Sequence, residues 1–168
     1  MIRSVLFSTL LLLLCSFAQS TWFGAIAIFG VIPDIGLLVL IWVSYINGRI
    51  EGPLSGFLSG FAEDFISASP LGFHAFIKTA ISASASLLHG TFYIDKLLLP
   101  IALGFSGTIA KALAAGILFL LFGSKIHTYS LIDSPLWIES AYNAILAPPI
   151  FILLSPLRRF LVTERGRR

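Results

Sequence analysis

The stretch "GPLSGFLSGFAED", Gly52 to Asp64, carries a glycine at every fourth position and ends on two acids. Gly52, Gly56 and Gly60 are followed, at the next step of four, by Asp64, with Glu63 beside it. Each step of four drifts only about 40° around a helix, so these residues form one stripe. Glycine inside a soluble helix costs roughly 1 kcal/mol against alanine. In lipid that cost is offset, because helices there associate through close backbone approach rather than through the hydrophobic effect. Ser55 and Ser59 lay a small polar stripe beside the first. Pro53 suits the first turn of a helix, where its missing amide hydrogen costs nothing. The stretch predicts a packing face. The simpler reading packs it against another helix of the same chain; the other reading docks a partner's helix on it.

Composition sets the class. Of 168 residues, 57% are hydrophobic and only 11% are charged, where a soluble domain carries about 25% charged residues. Such a chain cannot cover a globule in water, so it reads as an integral membrane protein without a separate soluble domain. Cys15 is the single cysteine, which excludes a disulfide framework and a cysteine metal cluster. Five of the eleven Lys and Arg residues lie in the basic tail 158–168, "RRFLVTERGRR". A tail held near anionic lipid on the cytoplasmic side accounts for them more simply than a nucleic-acid patch does.

Working outward, the sequence predicts an all-α bundle of about six transmembrane helices, at about 4–21, 25–46, 52–66, 71–90, 98–122 and 136–157. The first, "MIRSVLFSTLLLLLCSFAQS", has signal-peptide features but reads as an uncleaved span. Pro33 breaks or kinks the second, for want of an amide hydrogen. The third is short, its 15 residues rising only about 22 Å against a hydrocarbon core of about 30 Å. Basic residues favour cytoplasmic loops. Six spans with both termini cytoplasmic place Arg3, Arg49, Lys96 and the five tail arginines inside and only Lys125 outside. A five-span arrangement leaves Arg3 and Arg49 outside.

Charges within spans are expensive and tend to pair or face a wet cavity. In one reading Asp34, Asp64 and Lys78 converge near the outer leaflet as an intramembrane charge cluster. In the other, both acids reach the headgroups and Lys78 snorkels alone. Lys111 falls near the middle of its span with no obvious partner. The histidines, His74, His89 and His127, are scattered, and no metal set, phosphate loop or catalytic group stands out. Trp137, Tyr142 and Asn143 are the polar and aromatic groups able to line a solute cavity.

Three motifs in order carry a resemblance. Pro33–Asp34 precedes the apolar run "IGLLVLIWV"; Gly52, Gly56, Gly60 and Asp64 follow; and Ser69, Pro70, Leu71 and Gly72 open the next span. This order resembles the rod shape-determining protein MreD family, with Pro33, Asp34, Gly56, Gly60, Asp64, Pro70 and Gly72 as the motif residues. The resemblance implies a non-enzymatic, cofactor-free, multi-pass component of the bacterial cytoplasmic (inner) membrane. It implies partners as well: an MreC-like protein, MreB, and RodA with its transpeptidase, which build lateral peptidoglycan. It also implies the fold of energy-coupling-factor transporter substrate-binding subunits. The alternative function is then a six-helix small-solute-binding subunit of a transporter.

Overall fold

The structure, a computed structural model, describes residues 2–22, 27, 30–67, 69–89, 97–123 and 134–161. Lys96, Lys125, His127 and the tail from 162 onward lie outside the described residues. Those described are built from helices: α1 (Ile2–Trp22), α2 (Ile35–Asp64), α3 (Phe73–Leu87), α4 (Leu98–Phe122) and α5 (Ser134–Leu154). A 3-10 turn, Ser155–Leu157, then leads into the short α6 (Arg158–Leu161). In lipid this is the expected solution, since a helix satisfies its backbone groups internally.

The expected six helices are corrected to five among the described residues, besides the short α6. Segments 25–46 and 52–66 are not separate helices but contribute the two arms of α2. Gly48 joins the arms with φ 75° and ψ −163°, a left-handed conformation open to glycine and strained for other residues. The chain reverses there. Ser44 and Gly52 would stand about 12 Å apart along a straight helix. Instead, a methyl group placed on Gly52 would lie 2.8 Å from the Ser44 Cα. Pro33 does not kink the helix. It precedes it: Asp34 is the N-cap of α2, its Oδ1 accepting the Leu37 amide at 2.9 Å, and Pro33 is buried just outside.

The first arm of α2 is the centre of the bundle. Residues Gly36 to Ser44 are buried without a break, which is why "IGLLVLIWV" is apolar on every face. Around it run α1, α3, α4 and α5, and Leu12, Ile77, Ile81, Leu103 and Leu118 complete the core. The outer surface is apolar: Leu6, Leu10 and Leu14 on α1, and Leu120, Ile145 and Leu153 on α4 and α5, are all exposed. Four helical stretches, Ile2–Gln19, Ile35–Asp64, Leu98–Phe122 and Ser134–Leu161, are long and apolar enough to cross a membrane. These features make the chain a multi-pass α-helical membrane protein.

Candidate functional site

The glycine stripe lies on the second arm of α2 and faces α3. A methyl group on Gly52 would meet the Ser86 Oγ at 2.5 Å, and one on Gly56 would meet the Ser82 Oγ at 2.5 Å and the Lys78 carbonyl at 2.8 Å. On Gly60 it would meet the His74 carbonyl oxygen at 2.5 Å and the Ala75 Cα at 2.7 Å. Those distances are shorter than any carbon side chain tolerates. The whole stripe is occupied by the chain's own next helix, so it is a packing seam here and not an open face for a partner. The serines seal it: the Ser86 Oγ donates to the Ser44 carbonyl at 3.2 Å.

The acid that ends the stripe caps that helix. The first amides of a helix lack intrahelical acceptors and favour a negative charge. Gly72, the N-cap of α3, sits at φ 93° and has no side chain to supply one. Asp64 supplies it from eight residues upstream. Its Oδ2 accepts the amides of Gly72 (2.9 Å) and Ala75 (3.2 Å), and its Oδ1 accepts the amide of His74 at 2.8 Å. The His74 Nδ1 also lies 2.9 Å from Oδ1. Asp64 is 3% exposed, so its charge is held by oriented donors rather than by water. One device therefore joins Gly60, Asp64 and Gly72.

The expected charge cluster is corrected accordingly. Asp64 does not pair with Lys78. The Lys78 Nζ lies 2.6 Å from the Glu63 Oε2, outside hydrogen-bond angles, and donates to the Ser16 Oγ at 3.2 Å. Asp34 pairs with Lys111 instead, Nζ to Oδ2 at 2.8 Å, and Lys111 also bonds Glu139. The lysine that lacked an evident partner thus has two. Glu139 is 2% exposed. It was missed from sequence because its only signal was an acid inside an apolar span. Asn143 extends the set: its Oδ1 accepts the Asp34 amide at 2.9 Å, and its Nδ2 donates to the Thr108 Oγ1 at 2.9 Å. Asp34, Lys111, Glu139, Asn143 and Thr108 thereby tie α2, α4 and α5 together inside the bundle.

Of the three residues considered for a solute cavity, Asn143 is fully buried and spent on this network. Trp137 is half exposed and packs beside Phe105, with ring centroids 6.3 Å apart.

The ion pairing gives a test. Exchanging Glu63 and Lys78 (Glu63→Lys with Lys78→Glu) should recover part of the protein level lost in each single variant, as coupled pairs do. The exchange of Asp64 and Lys78 should recover nothing, because Asp64 serves amides that cannot be exchanged. Quantitative immunoblots of membrane fractions decide between the two.

No curated protein and no solved structure matches the chain, so the likeness to energy-coupling-factor subunits has no structural relative behind it. The family comparison is positive: the model described as rod shape-determining protein MreD matches residues 1–157. A match over nearly the whole chain, with the glycine seam, its capping aspartate and Pro33–Asp34 inside it, means that this protein belongs to the MreD family.

Proposed function

We propose that this chain is a non-enzymatic scaffold of the bacterial elongation machinery, seated in the cytoplasmic membrane and acting with an MreC-like protein to organise lateral peptidoglycan synthesis. MreB and RodA with its transpeptidase are the further partners of this reading. The family match carries it. The geometry supports it. Lys111 ties two acids together inside the bundle and Asp64 is held by the first amides of α3, while the exterior is apolar; such ties favour a fixed body over an open solute cavity. A rigid helical body is what a scaffold offers a single-span partner.

The topology we propose has six crossings with both termini cytoplasmic. The arms of α2 run antiparallel from Gly48, and α3 runs antiparallel to the second arm along the glycine seam. The start of α1 and the end of α6 meet, the Ser4 hydroxyl donating to the Leu161 carbonyl. The second arm and α3 are short, about 24 and 22 Å at about 1.5 Å per residue, so the bilayer thins beside them.

Two experiments test the proposal. Depletion should round rod-shaped cells, and the tagged protein should co-purify with an MreC-like single-span protein. Normal wall growth on depletion, or tight binding of a vitamin-like solute by the purified chain, would overturn the scaffold in favour of a transporter subunit. Separately, reporters fused after Gly48 and after the C-terminus should both read cytoplasmic; a periplasmic reading at Gly48 removes the six-crossing topology.

A further inference from the structure

One end of the bundle gathers arginine. Ser4 is the knot: its Oγ lies 3.1 Å from the Asn47 Oδ1 and donates to the Leu161 carbonyl, while the Asn47 Nδ2 donates to the Ser8 Oγ at 3.3 Å. These bonds clamp the start of α1, the bend of α2 and the end of α6 into one face. Arg3 adjoins Ser4, Arg49 follows the bend, and Arg158 and Arg159 open α6; all four are exposed. Glu51, partly buried, is the one acid among the described residues of this face. Large apolar side chains stand among the arginines: Ile2 is 73% exposed, Ile50 71% and Phe160 53%. The Arg159 guanidinium lies over the Phe160 ring, 4.7 Å from its centroid.

We infer that this face is a docking surface for the headgroups of anionic phospholipids. Two chemistries meet on it, and an anionic lipid of the surrounding bilayer offers both partners together. Guanidinium forks match phosphate oxygens in pairs, which a lysine ammonium does not. Exposed isoleucine and phenylalanine in the same patch need acyl chain just beneath the phosphate, the depth at which amphipathic segments lie. A soluble anion would leave those side chains in water. A phosphate between Arg49 and the Arg158–Arg159 pair would brace α6 against the bend of α2, adding to what the Ser4 hydrogen bonds already hold. The inference rests on the membrane character of the chain and not on its part in cell shape, so lipid retention by a chain that fails to rescue shape leaves it standing.

The test uses the full chain purified in an uncharged detergent. Native mass spectrometry would follow retention of added dioleoylphosphatidylglycerol against dioleoylphosphatidylcholine. The anionic lipid should be retained about ten-fold more, given the strength of basic clusters near anionic lipid. The triple variant Arg49→Gln, Arg158→Gln, Arg159→Gln should erase that preference, and the matching triple change to lysine should keep only part of it. Should the glutamine variant fail to fold, the unaltered chain decides: its preference must fall steeply as salt rises from about 0.05 to about 0.5 M, because screening shortens the reach of exposed charge. Equal retention of the two lipids overturns the inference. So does a preference untouched by the glutamine changes or by salt, or full displacement of the lipid by inorganic phosphate, which would mark a soluble-anion site.

Discussion

Lys111→Met is expected to strip most of the protein from the membrane fraction. The change suits lipid better than the lysine does, since a lysine at the centre of a span costs about 2.5–3.5 kcal/mol on insertion scales. On hydropathy alone, then, the variant should be more stable. The structure reverses that expectation. The Lys111 ammonium bonds both Asp34 and Glu139, and removing it leaves two carboxylates facing each other at a site where Glu139 is 2% exposed. Breaking a buried pair by deleting one partner costs about 3–5 kcal/mol, a large part of the stability of any domain of this size. Neutralising the acids as well should undo much of the damage. The triple change Lys111→Met, Asp34→Asn, Glu139→Gln should restore a good part of the steady-state level, and Lys111→Arg should keep more than Lys111→Met. Thermal melts in detergent and membrane immunoblots measure both. A single Lys111→Met variant that accumulates and melts like the parent protein would show that the Lys111 pairs do not hold the bundle together.

The same residues show where the sequence stops speaking. Class was legible, because a chain with so few charges has one solvent it can fold in. The glycine stripe was legible as spacing, and its meaning as close packing follows from physics that holds in any membrane. Its partner was not. Spacing gives the face of a helix, and the neighbour on that face is set by how the chain turns at Gly48 and Gly72, through two backbone conformations that no periodicity reveals. Reading the turn as one more loop made Gly48 an ordinary residue between two helices, whereas the structure runs both arms as one continuous α2 that reverses at that single residue. The charges fail for a different reason. The partners of Lys111 lie 28 and 77 residues away, so only the bundle brings them together. Asp64 misled by proximity. Lys78 stood close in sequence and opposite in sign, but the amides of a glycine-capped helix compete for a carboxylate as strongly as an ammonium does. Backbone donors are present in every sequence and visible in none.

Gly60→Ala should be the most damaging alanine substitution along the glycine seam. The reason is what the new Cβ would meet. At Gly52 and Gly56 the nearest atom is a serine hydroxyl, Ser86 or Ser82, which turns away by a rotation about χ1, although backbone lies next at 2.8 Å. At Gly60 all three nearest atoms are backbone, the carbonyl group of His74 and the Cα of Ala75, and backbone yields only if α3 moves. Moving α3 there draws the amides of Gly72, His74 and Ala75 off Asp64, so the packing fault becomes a capping fault as well. Overpacking of a close contact costs about 1–3 kcal/mol, and loss of a cap adds about 1 kcal/mol. The expected order of loss in melting temperature is Gly60→Ala, then Gly56→Ala and Gly52→Ala, with Gly116→Ala near zero because its Cβ would meet nothing within 4 Å. Leucine at Gly56 should do far more harm than isoleucine at Leu58, a partly exposed position off the seam. The graded series matters more than any one member. If all four alanine variants melt together, α3 rides loosely over the second arm of α2, and the seam does not hold the helices in place.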